Sequence, residues 1–183
     1  MRKLIVSNLV TLDGFFEGPK GELDWFNVDE EFFEYAREML NSVDAIVYGR
    51  RTYEQMAEYW PTVADEDSVI THKMNSLEKI VFSKTLSSVE WKHSRLAKKP
   101  VREEIRDLKQ QPGKDLVIFG SGSIVSELTQ AGLIDEYRLV LIPVVLGSGN
   151  PLFKNIHPAV NLKLIRSRAY ASGNVILYYE PAH

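Results

Sequence analysis

The residues best suited to chemistry are glycines, hydroxyls and cations placed directly after short apolar runs. Leu116–Phe119 is one such run; Gly120-Ser121-Gly122-Ser123 follows at once, with Ile124, Val125 and Leu128 at helical spacing behind it. The pattern predicts a strand, a tight glycine turn and a helix. At such a turn the backbone can approach a ligand closely, and the helix start offers unpaired N–H groups and partial positive charge, which suits phosphate or pyrophosphate. Val43–Tyr48 leads likewise into Gly49-Arg50-Arg51-Thr52, a second candidate phosphate site with two guanidinium groups. Ile80–Phe82 leads into Ser83-Lys84-Thr85, again hydroxyls and a cation, and both Thr11–Gly14 and the Gly147–Gly149 loop follow apparent strand ends.

Several chemistries are disfavoured. Val125 stands where a dinucleotide fingerprint needs its third glycine, and Asp135 and Glu136 come too soon for its acidic residue, which argues against a Rossmann domain. The sequence contains no P-loop and no G-x-S-x-G elbow. His72, His93, His157 and His183 are scattered without metal-ligand spacing, so no metal site is expected. The absence of cysteine removes disulfides, thiolate metal sites and a cysteine nucleophile. A net charge of −3 supplies no basic field for nucleic acid or an anionic membrane. With no long apolar run and no signal-peptide pattern, a cytoplasmic location is expected. A site rich in phosphate-binding turns and poor in nucleophiles is what a protein needs when a cofactor carries the reaction.

The elements that position these turns follow from periodicity. A single domain over residues 1–183 is expected, opening on a doubly buried strand at Leu4–Val10. Phe15–Asn27, with Phe15, Phe16, Trp25 and Phe26, reads as an aromatic loop that either covers a flat ligand or plugs the edge of the core. Asp29 can cap a helix over Glu30–Asn41, and another helix follows Gly49. Beyond Trp60-Pro61 the chain reads as polar up to Ile80; Val89–Trp91 reads as a short strand and Val101–Leu108 as an exposed, charged helix. Tyr137–Ile142 is a strand closed by Pro143, and Leu162–Tyr170 and Asn174–Tyr179 form a closing hairpin through Ser172-Gly173. Strands alternating with helices predict a mostly parallel sheet covered on both faces, whose ligands sit at the carboxyl ends of the strands. Every glycine-rich or hydroxyl-rich turn named above falls at such an end.

With these motifs assembled, the chain resembles the dihydrofolate reductase superfamily, in the branch of the riboflavin biosynthesis reductase domain (RibD C-terminal) and its small stand-alone relatives. The resemblance runs through V-T-L-D-G-F-F-E-G at 10–18, D-A-I-V-Y-G-R-R-T-Y-E at 44–54, V-F-S-K-T at 81–85, F-G-S-G-S at 119–123 and L-I-P-V-V-L-G-S-G at 141–149. It implies a three-layer α/β/α fold around a largely parallel eight-stranded sheet, with NADPH as hydride donor. By resemblance, Gly49, Arg50, Arg51 and Thr52 sit at the cofactor phosphates, Ser83, Lys84 and Thr85 near the adenosine 2′-phosphate, and Gly120, Ser121, Gly122 and Ser123 around the pyrophosphate. Val10 to Gly14 lie beside the nicotinamide, with Gly147 also at the cofactor. Phe15, Trp25, Phe33 and Pro143 are the substrate-binding candidates; Phe33 stands near the position where dihydrofolate reductases carry a carboxylate. The cations Lys84, Arg50 and Arg51 independently favour NADPH over NADH.

The expected function is hydride transfer from NADPH to a small, heterocyclic, pterin- or aminopyrimidine-like substrate, with Asp13, Asp29 or a bound water as proton source. For Asp13, holding its own turn is favoured slightly over reaching the substrate. Two other readings stay open: a non-catalytic nucleotide-binding protein that retains the fold, and a flavin-binding module. A homodimer through the C-terminal strands is expected, because exposed sheet edges tend to be paired.

Overall fold

Apolar runs too continuous to leave one face in water become the strands of a central sheet. The computed structural model describes residues 1–64 and 68–182; His183, one of the scattered histidines, lies outside them. In chain order the elements are β1 (Leu4–Thr11), β2 (Phe15–Glu17), α1 (Glu30–Ser42), β3 (Val43–Gly49), α2 (Arg50–Tyr59), α3 (Ser68–Ser76), β4 (Glu78–Phe82) and β5 (Ser94–Leu96). Then come α4 (Val101–Gln110), β6 (Asp115–Ile118), α5 (Gly122–Gln130), β7 (Glu136–Ile142), β8 (Asn150–Pro151), β9 (Leu162–Ala169) and β10 (Val175–Pro181).

The main sheet has eight strands in the order β5-β4-β3-β6-β1-β7-β10-β9. From β5 to β7 all neighbours are parallel, and β10 runs antiparallel to both β7 and β9. Because side chains alternate along a strand, β1 feeds both layers. Ile5 packs with Tyr35 and Met39 of α1, Tyr53 of α2 and Ile70 and Met74 of α3, whereas Leu4 and Val6 pack with Ile105 of α4 and Val125 and Leu128 of α5. The three-layer α/β architecture and the terminal antiparallel hairpin are thus as the sequence implied. Asp29 caps α1, its Oδ1 accepting from the Phe32 amide at 2.9 Å.

Parallel strands put the carboxyl ends of β1, β3, β4, β6 and β7 on one edge. One place on that edge is set apart. Pairing of β1 with β6 covers only Leu4–Val6, while pairing with β7 continues to Thr11. The connection after β1 runs through α1 on one face and the connection after β6 through α5 on the other. Chains leaving adjacent strand ends in opposite directions open a crevice between them, the usual ligand position in such sheets.

Four expectations need correction. Phe15–Asn27 is not loop throughout, since Phe15–Glu17 forms β2 and pairs antiparallel with β8. The stretch read as polar before Ile80 contains α3, which buries only Ile70 and Met74, too few apolar positions to register as an amphipathic helix. Val89–Trp91 is not a strand; the edge strand is β5, and Trp91 is instead buried against Tyr48 and Tyr53, its Nε1 donating to Asn75 Oδ1 at 2.9 Å. The helix at Val101–Gln110 is not a solvated face alone: Glu104 and Lys109 are buried, paired with Arg95 and Asp135 respectively.

Lys79 of β4 ties α3 to the sheet. Its side chain is fully buried, and Nζ donates to the carbonyls of Met74, Asn75 and Leu77 at 2.9, 3.2 and 2.7 Å while lying 4.3 Å from the Trp91 ring centroid. Burial pushes its pKa down to about 8, so the ammonium persists at neutral pH and supplies all three donors. Lys79→Met would strand these carbonyls at the end of α3 and should cost about 2–3 kcal/mol. Urea unfolding of the variant measures this, and a loss below about 0.5 kcal/mol would contradict the assignment.

Candidate active site

The helices α2 and α5 begin side by side. The Gly49 amide donates to the Gly120 carbonyl at 3.0 Å, joining the two turns. A Cβ on Gly49 would lie 2.3 Å from Ser121 Oγ, and one on Gly120, whose φ is +125°, would lie 2.8 Å from Thr52 Oγ1. Only glycine allows this approach. Neither N-cap residue, Gly49 or Ser121, returns a side-chain hydrogen bond to its helix, so the first-turn amides of both helices stay available to an anion. Ser121 and Ser123 hydroxyls lie 2.9 Å apart at the start of α5. Gly122 serves packing against β2 and β8 instead, for it is buried where a Cβ would come within 2.9 Å of the Phe16 ring.

A cationic corner adjoins these helix starts. Arg50 donates to Thr85 Oγ1 at 2.9 Å, which links the beginning of α2 to the turn after β4. Ser83 Oγ holds that turn by accepting from the amides of Thr85 and Leu86 at 3.1 and 3.0 Å. Lys84 is exposed at its tip and forms no ion pair with a described residue. Arg51 instead approaches Glu17 Oε1 at 3.5 Å, a buried carboxylate that also accepts from Asn150 Nδ2 at 2.6 Å. Of the residues expected at cofactor phosphates, Arg51 and Gly122 are used elsewhere, while Gly49, Thr52, Gly120 and Ser121 meet at two helix starts and Arg50 links them to the turn that carries Ser83, Lys84 and Thr85.

Beside this corner, at the β1/β6 crevice, lies a cavity of about 510 Å³, walled on one side by Phe32, Phe33 and Met39 of α1 and on the other by Thr52 and Met56 of α2, with Trp60 beyond. Phe16 and Phe26 bring the aromatic loop to it. Its floor is polar: Asn8 Nδ2 donates to the Phe119 carbonyl at 2.9 Å across the gap where β6 has left β1, and Ser7 Oγ meets Tyr35 Oη at 2.8 Å. Burial raises the Tyr35 pKa well above the usual range, so this phenol stays protonated. Asn8 Oδ1 is buried with no partner among the described residues. An orphaned buried acceptor costs roughly 1–3 kcal/mol, which a ligand donor can recover.

Of the expected substrate contacts, Phe33 lines the cavity and Phe15, Trp25 and Pro143 do not. Trp25 packs edge-on to Phe26 with ring centroids 4.8 Å apart. Phe15 pairs with Pro151 in the small sheet, and Pro143 lies beside Gly173 in the C-terminal hairpin turn. Val10 is buried in the core on the α5 side. The two carboxylates proposed for proton transfer are occupied locally. Asp29 caps α1. Asp13 Oδ1 accepts from Thr11 Oγ1 at 2.7 Å and from the Leu146 amide at 3.2 Å, and Oδ2 from the Gly147 amide at 2.8 Å. It thereby joins the turn after β1 to the loop after β7.

A family model for the RibD C-terminal domain matches residues 2–176. The chain belongs to this family. Bacillus subtilis YyaP is 36% identical over 180 residues, covering 97% of this chain and 94% of that protein. Among solved structures, a Shewanella sp. PV-4 protein ascribed provisionally to riboflavin biosynthesis superposes with a TM-score of 0.79 at 26% identity over 99% of both chains. The fold extends further. A Thermotoga maritima diaminohydroxyphosphoribosylaminopyrimidine deaminase/5-amino-6-(5-phosphoribosylamino)uracil reductase gives 0.71 at 16% identity, covering 99% of this chain and 57% of that one. Enterococcus faecalis dihydrofolate reductase complexed with NADP(H) gives 0.67 at 17% identity, covering 99% and 97%. This RibD C-terminal domain thus has the dihydrofolate reductase-like fold shared with the pyrimidine reductases.

Sequence reasoning missed the cavity residues Ser7, Asn8, Glu17, Phe32, Tyr35 and Met56. One signal was available: Ser7-Asn8 interrupts an otherwise apolar central strand, and a polar pair there needs a partner or a ligand.

The hydrogen bond from Thr11, followed by the Gly147 and Leu146 amides, holds the Asp13 pKa below its ordinary value of 3.8. A lowered carboxylate pKa means that the folded state favours the ion. The brace is complete above the unfolded pKa and is lost as pH falls through the folded one. In an acid titration followed by NMR, the Gly147 amide proton should shift with a midpoint below 3.8. A midpoint at or above that value would contradict the brace, and Asp13→Asn should abolish the transition.

Proposed function

We propose that the protein is an NADPH-dependent reductase acting on a small heterocyclic substrate of the pterin or aminopyrimidine kind. The observation that carries this reading is the abutting pair of uncapped helix starts, flanked by Arg50, Lys84 and Thr85, beside an apolar cavity of about 510 Å³. In this reading the first turns of α2 and α5, with Ser121 and Ser123, bind the pyrophosphate, while Arg50, Lys84 and Thr85 take the 2′-phosphate. When bound, NADPH supplies a hydride that adds to the carbon of a C=N or C=O group, whose heteroatom takes a proton, leaving NADP⁺.

The chain's own part is positioning and exclusion of water. The walls of α1 and α2 and the aromatic loop shield a flat ring, and the Asn8 bridge keeps the crevice open at the depth where that ring must lie. Asp13 fixes the turn and loop beside the cofactor. Since both its oxygens and Asp29 Oδ1 already accept local hydrogen bonds, solvent at the cavity mouth supplies the proton.

A second reading, a nucleotide-binding protein without turnover, draws support from apolar Phe33, which gives the α1 wall no carboxylate at that position. NADPH that binds but is not consumed with any pterin or aminopyrimidine would favour it. We further propose a homodimer through β9, an edge strand in which every residue after Leu162 is exposed, Leu164 and Ile165 by 48% and 49%. Light scattering should give twice the chain mass, falling toward the monomer in Ile165→Lys; a monomeric wild type at micromolar concentration would refute it.

The cofactor assignment is tested by titrating wild type and Lys84→Ala with NADPH and NADH. Wild type should prefer NADPH, and the variant should lose about tenfold in NADPH affinity, about 1.4 kcal/mol, with NADH binding unchanged. Equal wild-type affinity for the two nucleotides would overturn the 2′-phosphate site.

A further inference from the structure

The charge of the cavity narrows the substrate further, on the reading of this site as a reductase pocket. Among the described residues, no lysine or arginine lines it, and the residues outside the described set are Asp65, Glu66, Asp67 and His183, so none of those adds a lysine or arginine either. Among the described residues, the one carboxylate in its wall is Glu17, 4% exposed, contributed by β2 rather than by α1. Arg51 approaches only as the 3.5 Å ion-pair partner of that carboxylate. A phosphate entering the cavity would therefore lose its hydration beside the Glu17 carboxylate, with no lysine or arginine side chain in the lining to replace the water.

The unmet hydrogen-bonding capacity points the same way. Asn8 sits on the floor, 6% exposed, with its amide orientation set by donation from Nδ2 to the Phe119 carbonyl. That leaves Oδ1, buried and without a partner among the described residues, as an acceptor awaiting a donor. The neighbouring Ser7 and Tyr35 hydroxyls satisfy each other at 2.8 Å. Apolar aromatic and thioether walls over an orphaned acceptor suit a flat ring bearing N–H groups.

We propose that this cavity takes an unphosphorylated, uncharged nitrogen heterocycle whose amino edge donates to Asn8 Oδ1, and that the Glu17 carboxylate and the lack of basic lining exclude phosphoribosyl substrates. The specificity thus departs from that of the Thermotoga maritima relative, whose substrate carries a phosphoribosyl group. Asn8 is a specificity residue, and Glu17 acts as an electrostatic filter.

The test is equilibrium binding to the full chain by calorimetry and tryptophan quenching, with and without NADP⁺. The probes are 6,7-dimethylpterin, its 2-dimethylamino analogue and 5-amino-6-(5-phosphoribosylamino)uracil. Dimethylpterin should bind at least tenfold more tightly than either of the others, and Asn8→Leu should erase its advantage over the dimethylamino analogue. The analogue comparison on wild type stands even where the variant does not fold. Equal or tighter binding of the phosphoribosyl compound, an undiminished dimethylamino analogue, or binding of no probe would each overturn the proposal. With NADPH binding intact, those results leave the reductase reading in place. Loss of NADPH binding alongside preserved dimethylpterin selectivity would remove that reading and leave the cavity assignment standing.

Discussion

The separation of β1 from β6 beyond Val6 is the constraint on which the site depends. Were the two strands paired to their ends, the floor of the cavity would be a closed sheet. Instead β6 stops opposite Val6 and turns into α5, while β1 continues to Thr11 along β7. The Asn8 amide spans the gap to Phe119, satisfying one orphaned carbonyl at the cost of leaving its own oxygen unpaired among the described residues. The buried polar pair Ser7-Asn8 in the middle of a deeply buried strand is thus explained by what lies above it.

From that opening the surrounding elements follow. The α1 and α5 connections diverge to opposite faces, so α1 can present Phe32, Phe33 and Met39 to the crevice while the start of α5 abuts the start of α2. Close approach at Gly49 and Gly120 permits two helix starts to share one volume of space, a stronger anion site than either alone. The Asp13 and Arg50 bonds then tie together loops from β1, β7, β3 and β4 that have no sequence proximity. The edge that carries the candidate site is a cluster of turns held by a few side-chain bridges on a parallel sheet.

Much of this was legible in the sequence because parallel strands buried on both faces announce themselves as continuous apolar runs, and because Asp29, Gly49 and Gly120 are used where their local physics puts them. What escaped depends on tertiary context. Ile70 and Met74 alone could not reveal α3, which is held by Lys79 donating into its last carbonyls. Val89-Glu90-Trp91 has strand-forming residues, yet Trp91 is fixed by Tyr53 Oη at its amide and Asn75 at its indole. The cavity wall combines side chains from β1, β2, α1 and α2, and no local spacing encodes that meeting. Asp13 and Asp29 carry a chemistry-capable group but use it on a turn and a cap, which residue type alone does not disclose.

In the proposed reading, dinucleotide phosphates lie across the joined starts of α2 and α5 with the nicotinamide at the mouth of the β1/β6 crevice. A crystal structure of the protein with NADPH tests it most directly. Pyrophosphate oxygens should lie within hydrogen-bonding distance of backbone amides in the first turns of both helices, with the nicotinamide ring between the Thr11–Gly14 turn and the Asn8 floor. A dinucleotide bound with its phosphates away from Gly49–Thr52 and Ser121–Ser123, or with the nicotinamide outside the crevice, would contradict it.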